Sequence, residues 1–291
     1  MGGAIADTEV HLPAAALRPF ISHYAGFRVS GLPAGVHFGL PSSSVDLIVS
    51  LGHSIELERT PNSTQAASSF IAFVRGLRDT PAIVRQGSEA FGLHVFIEPL
   101  GCRAILGVGG ADISSRVVDL SDVWPGRAGR LVEMLRAAGT WERRFAILDR
   151  TFAAALKPAG ARPEIRWAWS RLAKTHGAVP IQQLADETGY SRRHLCELFR
   201  DAAGVTPKLA ARIFRFERAC RLIADQRLGL ADIAMVCGYC DQAHLTREWC
   251  AIADCPPKAW IARDLPFLQD YELAGCENRG DDAGSMHQHF V

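Results

Sequence analysis

Two stretches of the chain carry the same helical rhythm of apolar positions. Ile181, Leu184, Ala185 and Thr188 recur three and four residues apart and are followed by Gly189; the pattern returns as Leu230, Ile233, Ala234 and Cys237 followed by Gly238. The spacing predicts a short amphipathic helix in each copy, stopped by a glycine that takes the left-handed conformation at little cost. Tyr190 and Tyr239 then match each other. After one inserted residue, Leu195, Phe199 and Pro207 match Leu245, Trp249 and Pro257. A second helix therefore follows each turn, and Ser191 is placed to cap the first of these. Between the copies, residues 209–223 form another helical stretch, with Ile213, Phe216, Ala219, Cys220 and Ile223 on one side and Arg212, Arg215, Arg218 and Arg221 around the rest. This predicts a linker helix that fixes the distance between two copies of one supersecondary unit.

The first half of the chain has a different rhythm. Residues 36–39, 45–51, 55–58, 69–74, 83–85 and 92–98 are short apolar or alternating runs separated by Gly, Pro, Ser and Asn. They predict strands of a small antiparallel barrel or sandwich. A turn-rich stretch at 107–110 and an apolar run at 117–120 lead into two helices, 127–138 and 140–156, and 157–163 reads as a linker. The expected fold class is α+β: a mainly-β barrel or sandwich with trailing helices, then an all-α part made of two helix-turn-helix units joined by a linker helix.

The helix after Ser191 carries Arg192, Arg193, Glu197 and Arg200 on its polar faces. A polar, arginine-rich face just after the cap suits a helix whose N-terminal end enters a DNA major groove. One such helical pair is an ordinary building block of helical domains. A duplicated pair that keeps both the turn glycine and the following aromatic points instead to DNA reading.

On these residues, 165–263 resembles the DNA-binding domain of the AraC/XylS family of bacterial transcription regulators. The resemblance is carried by Leu184-Ala185, Gly189-Tyr190-Ser191, Leu195, Phe199, Gly204 and Pro207, by Arg215-Phe216-Glu217-Arg218-Ala219 with Leu222-Ile223, and by the second unit. There Ile233-Ala234 is followed by Gly238-Tyr239-Cys240-Asp241-Gln242-Ala243-His244-Leu245-Thr246-Arg247 and by Pro256-Pro257-Lys258-Ala259-Trp260. Two positions depart from the pattern. Asp254 stands where the first copy has Gly204, and Cys240 occupies the slot of a serine-like cap, a role Asp241 is placed to take.

The resemblance implies that the second helix of each unit lies in the major groove, reading segments about 34 Å apart on one face of the duplex. The base-reading candidates are then Arg193, Cys196 and Glu197 in the first unit and Gln242, Thr246 and Arg247 in the second. Arg247 suits guanine O6/N7, Gln242 suits adenine N6/N7 and Glu197 suits cytosine N4, each pair supplying about 1–3 kcal/mol of discrimination. Arg192, Arg200 and Lys258, nearer the helix ends, are the phosphate candidates. His194 and His244 match each other and are expected to cap or pack.

The N-terminal half resembles a domain found in a subset of the same family, through Leu40-Pro41, Val45-Asp46-Leu47-Ile48, Phe73-Val74-Arg75-Gly76-Leu77, 93–99, 117–120 and Trp124. The family's N-terminal domains bind a small effector, mediate dimerisation, or both. Asp46, His37, His94, Glu98 and Arg75 are expected to be surface or structural residues rather than ligand contacts. A regulator whose N-terminal half is an interaction module without ligand sensing remains the alternative.

Charge sharpens the division. Residues 162–264 carry thirteen arginines and three lysines against twelve carboxylates, a net of +4, whereas 265–291 carry Arg279 against Asp270, Glu272, Glu277, Asp281 and Asp282, a net of −4. The whole chain is near neutral at +1. The organisation expected is an effector-sensing or dimerisation domain at 1–157, a linker at 158–164, the DNA-binding domain at 165–263 and an acidic flexible tail at 264–291.

At 291 residues and 48% hydrophobic content the chain suffices for more than one core. It shows no signal peptide and no apolar run of membrane-spanning length, so a cytoplasmic location without membrane association is expected. The eight cysteines include Cys237-x-x-Cys240 followed by Cys250 and Cys255. The repeat matches Cys237 with Thr188, Cys250 with Arg200 and Cys255 with Val205, which favours packing over a metal site. Alkylation-repair regulators carry reactive cysteines in an N-terminal zinc cluster, and this N-terminal half holds only Cys102.

Gly107-x-Gly109-Gly110 lacks the strand, spacing and acidic partner of a dinucleotide fold, and no hydrolase elbow or His-Glu-x-x-His is present. The sequence therefore predicts a transcription regulator and not an enzyme, with no cofactor. Double-stranded promoter or operator DNA, RNA polymerase, a small-molecule effector and a second copy of the chain are the expected partners.

Overall fold

The computed structural model describes residues 5–32, 34–225 and 227–262. The predicted acidic tail, 264–291, lies outside the described residues. The strands are β1 (Ile5–His11), β2 (Ile21–Ser30), β3 (Gly35–Gly39), β4 (Val45–Ser50), β5 (Ile55–Arg59), β6 (Ser68–Phe70), β7 (Ala72–Arg75), β8 (Ala82–Gln86), β9 (Glu89–Ile97) and β10 (Val117–Asp119). The helices are α1 (Cys102–Leu106), α2 (Gly110–Ile113), α3 (Leu120–Val123), α4 (Ala128–Ala137), α5 (Trp141–Ala155), α6 (Pro163–Lys174), α7 (Ile181–Thr188), α8 (Arg192–Ala203), α9 (Pro207–Ala224), α10 (Leu230–Val236), α11 (Gln242–Ala253) and α12 (Pro257–Ala262).

The strands form two antiparallel sheets, β1-β2-β9-β4-β7-β10 and β3-β8-β5-β6. The larger sheet is covered on both faces, which explains why β4 is buried at every position. Leu47 and Val49 of β4, Val74 of β7 and Leu93 and Val95 of β9 share one core with Leu131, Leu135, Phe145, Leu148 and Phe152 of α4 and α5. The alternate residues Ile48 and Phe73 join Leu57, Phe70 and Ala82 of the smaller sheet. Side chains on successive positions thus serve two different interiors.

Two differences from the sequence expectation have local causes. The run 69–74 is two strands in different sheets, β6 pairing with β5 and β7 with β4, because the chain crosses between layers at Ile71. β1 and β2 were not expected. β2 nevertheless alternates Ile21, His23, Ala25, Phe27 and Val29, and it pairs along most of its length with both β1 and β9.

The helical units form as their sequence dictates. Gly189 ends α7 at φ 71°, and Ser191 caps α8 by accepting from the His194 amide at 3.2 Å. In the second unit Asp241 does the same for the His244 amide at 2.6 Å, as the departure at Cys240 led one to expect. Asp254 takes the left-handed conformation at φ 57° where Gly204 has φ 78°, so the turn survives the substitution. The linker helix is α9, capped by Thr206 and opened by Pro207, whose fixed φ and missing N–H suit a first turn.

Two cores divide the helical part. Leu184, Leu195, Phe199 and the first half of α9 belong to the same continuous core as the larger sheet and its helices. Ile233, Ala234, Leu245, Trp249 and the second half of α9 form a separate cluster, joined from the N-terminal half by Leu40.

Candidate functional site

The second helix of each unit presents the sequence-designated residues on its solvent side. Arg193, Glu197, Gln242 and Arg247 are exposed, and Cys196 and Thr246 are half-buried. Arg192, Arg200 and Lys258 are exposed as well. The inward stripes are Leu195 and Phe199 in α8 and Leu245, Trp249 and Ile252 in α11. Cap, turn and stripe therefore leave the polar residues in the N-terminal half of each second helix facing solvent.

Contacts within these faces prepare the side chains. Arg193 Nε donates to Glu197 Oε1 at 3.1 Å, one helical turn away. The hydrogen bond from Arg193 heads the causes that hold the Glu197 carboxyl below its usual range, so it stays an acceptor. An exposed pair of this kind is worth only a few tenths of a kcal/mol, roughly, and is readily broken. Thr246 Oγ1 donates to the Gln242 carbonyl at 2.9 Å. His194 and His244 stand edge-on to Tyr190 and Tyr239, at ring separations of 5.0 and 5.4 Å. His244 Nδ1 also accepts from the Cys240 amide at 3.3 Å. Cys237 and Cys255 lie in the core, Cys250 is half-buried and Cys240 is exposed. Among the described residues, no group of three or more His, Cys, Asp or Glu side chains is placed to hold a metal ion.

A second candidate site lies between the two sheets. A cavity of about 690 Å³ is lined by Phe27, Val29, Ile48, Phe73, Val84 and Phe91 on its apolar walls, with His37, Arg75 and His94 among its polar residues. Such a volume falls in the usual range for small-molecule sites. Sequence reasoning had no access to it, since its walls come from strands distant in the chain.

The polar residues noted on the strands meet beside this cavity, as structural residues rather than surface ones. Asp46 is fully buried and lies directly across from Arg75 in the β4–β7 register. Arg75 Nε donates to Asp46 Oδ2 at 2.8 Å, and His94 Nε2 lies 3.0 Å from Oδ1. Arg78, 1% exposed, reaches the same carboxylate at 3.5 Å and donates to the carbonyls of Gly39 and Leu40 at 3.0 and 2.6 Å. A Cβ at Gly39 would fall 2.3 Å from Arg75 Nη1, so a larger residue there would require the guanidinium to shift. Glu98 is half-buried and directly follows β9. Sequence analysis did not single out Arg78; nothing in its spacing marks a buried arginine.

Burial and charge set the protonation states. Burial opposes ionisation of Asp46, but Arg75, the His94 hydrogen bond and Arg78 outweigh it, and the carboxyl is held well below the usual carboxylate range. Burial, reinforced by Arg75, lowers His37 from 6.5 to about 4. Burial also lowers His94, although Asp46 opposes the shift; the neutral ring donates from Nε2.

A pH dependence follows. An unfolded His37 takes up a proton near 6.5 and the folded one only near 4, so between these values the unfolded chain binds more protons. Stability will therefore fall as the pH drops through this window, by up to roughly 1.4 kcal/mol per pH unit for each such histidine. His94 acts in the same direction. Below the ordinary aspartate range the depressed Asp46 adds a further loss, since its stabilisation disappears as the carboxyl protonates. Urea unfolding measured from pH 7 to pH 4 checks this, and His37→Gln should flatten the slope. An unchanged slope in that variant would remove His37 from the account.

Comparison with known proteins decides the family. A family model described as a helix-turn-helix domain matches residues 184–263. The chain is 30% identical over 83 residues to the probable transcription factor PqrA of Proteus vulgaris, covering 28% of this chain and 67% of that protein. The chain belongs to the AraC/XylS family. As a member of that family it is a DNA-binding transcription regulator, and α7–α8 and α10–α11 are its two helix-turn-helix units.

Among solved structures, the chain is similar to ToxT from Vibrio cholerae O395, at 11% identity and a TM-score of 0.49, covering 90% of this chain and 99% of that one. It is also similar to unsaturated fatty acid bound ToxT from Vibrio cholerae strain SCE256, at 9% identity and a TM-score of 0.47, covering 89% and 94%. No helix among the described residues is long and apolar enough to cross a membrane.

Proposed function

We propose that this AraC/XylS-family regulator reads a long, asymmetric DNA site with both units and that a small molecule in the inter-sheet cavity sets its activity. The observation that carries the first part is the duplicated unit with an exposed polar face at the start of α8 and of α11. Arg193, Cys196 and Glu197 contact bases in one block, Gln242, Thr246 and Arg247 in the other, while Arg192, Arg200 and Lys258 hold phosphates. The functional division follows: 1–157 senses the effector or dimerises, 158–164 links, and 165–263 binds DNA. RNA polymerase and a second copy are partners in this reading, the chain works in the cytoplasm, and it performs no catalysis.

Selection from a random DNA pool by the full-length protein tests the first part. The expected result is a motif of two blocks about one helical turn apart. A short motif, or salt-sensitive binding without sequence preference, would mean that one unit does not read.

Substitution separates the two kinds of contact. Arg247→Ala should relax preference at one base position, at about 1–3 kcal/mol, while Arg200→Ala weakens all sequences alike and lowers the salt slope by roughly one unit. Equal behaviour of the two variants across a randomised site library would end this division of labour.

The cavity favours sensing over a pure interaction module, since its apolar walls surround a few convergent polar groups. A specific thermal shift within a metabolite panel supports this reading. Intact dimerisation with no shift supports the module.

A further inference from the structure

The N-terminal half grips the two DNA-reading units in different ways. The first unit is built into it. Gly110 of α2 packs backbone to backbone on the end of α8, where a Cβ would fall 2.4 Å from the Ala203 carbonyl carbon. Ser114 Oγ donates to the Gly204 carbonyl at 2.6 Å. Phe199, Ala203 and Val205 share one uninterrupted apolar core with Ile105, Leu106 and Ile113.

The second unit is held at separate points. Leu40 is the one residue of the N-terminal half in its core cluster among the described residues. The Ser43 amide donates to Glu217 of α9 at 2.6 Å. Asp79 pairs with Arg212 of α9 at 3.3 Å, and Arg212 in turn holds Glu248 of α11 at 2.8 Å. Arg59 pairs with Asp254, the residue that closes α11. Half-exposed ion pairs of this sort are individually weak and separable, unlike a shared apolar core.

Two of these attachment points, Leu40 and Arg59, are continuous with the cavity. β3 contributes His37 and Gly39 to the lining and runs straight into Leu40; β5 contributes Ile55 and Glu56 and ends at Arg59. Both strands belong to the smaller sheet, whereas the first unit is fused to the core that covers the larger one. Arg75, which lines the cavity, shares Asp46 with Arg78, and Arg78 holds the carbonyls of Gly39 and Leu40.

We infer that the N-terminal half holds the first DNA reader as a fixed part of its core and the second through a releasable latch, at Leu40, Ser43, Arg59 and Asp79, carried by the smaller sheet and the loops that lead out of β3 and into β8. A change in the separation of the two sheets then moves the second reader relative to the first. The latch stands on the contacts alone; its control by a bound molecule rests on the effector reading of the cavity. A ligand that favours one sheet separation biases the arrangement of the two readers by its difference in affinity for the two states.

Hydrogen exchange of the full-length protein tests this without a ligand. In Arg59→Gln/Asp79→Asn, exchange across 230–262 should rise roughly threefold or more while 181–204 keeps its wild-type rate. Val84→Trp, which places an indole in the cavity as a surrogate ligand, should speed exchange in the same segment, with thermal melting to check that it folds. Faster exchange in both units alike, or in neither for the double variant, would overturn the latch. A latch variant that behaves as expected while Val84→Trp folds and leaves 230–262 unchanged would overturn the link to the cavity. DNA selection is a separate readout: failure to find a specific site defeats the functional reading and leaves the exchange result standing.

Discussion

Replacing Trp249 by alanine will abolish protection of one block of the DNA site and leave the other protected. Trp249 is fully buried in α11, with its ring 4.9 Å from Phe216 and 5.3 Å from Trp260. The second unit rests on a small core of its own, and removing its largest side chain should cost about 3–5 kcal/mol. That is a large share of what a separate cluster of this size holds. The first unit draws on the continuous core of the larger sheet and its helices, so it stays folded and keeps its contacts. Footprinting with wild type and variant at equal concentration, on a site obtained by selection, gives the comparison. Trp249→Phe is the control: a ring remains against Phe216, and the indole N–H it removes is buried without a hydrogen-bond partner among the described residues. It should lose far less. Loss of both blocks together in Trp249→Ala would mean that the two units fold as one.

Asp46→Ala is the second large effect, and it acts on the N-terminal half. The carboxylate receives Arg75, Arg78 and His94 in a site where all four side chains are buried. Deleting one partner of a buried ionic cluster costs about 3–5 kcal/mol, because the groups left behind lose the counter-charge that offset their desolvation. The loss should exceed that of Asp46→Asn, which retains the shape and part of the hydrogen bonding. Since Arg78 also anchors the Gly39 and Leu40 carbonyls, exchange in the second unit should rise in the alanine variant too. Urea unfolding at pH 7 measures the first effect. A loss below about 1 kcal/mol would show that the cluster contributes little net stability.

The helical part was legible in detail because its information is local. Each turn glycine or its aspartate substitute, each cap and each apolar stripe is set by residues within a few positions, and duplication made the pattern readable twice. Asp254 at φ 57° shows how tightly the turn is specified: the backbone keeps its left-handed geometry without glycine. The strands were legible less evenly. β4 and β9, the two middle strands, stood out as apolar runs because both faces of their sheet are covered, while β2, next to the edge strand β1, carries His23, Tyr24 and Arg28 among its apolar residues and was passed over.

The sequence by itself determined the two helix-turn-helix units, the helix between them, the family and which side chains face solvent at the start of α8 and α11. Only the tertiary structure decided where the second sheet lies, that a cavity opens between the sheets, that Asp46, Arg75, Arg78 and His94 converge beside it, and that the two units are gripped unequally. Helical signals come from neighbours three and four residues apart, which any window of sequence contains. A cavity wall, a buried ionic cluster and a latch such as Arg59 with Asp254 depend on strand register and layer packing, which join positions up to 195 residues apart and leave no periodic mark on the chain.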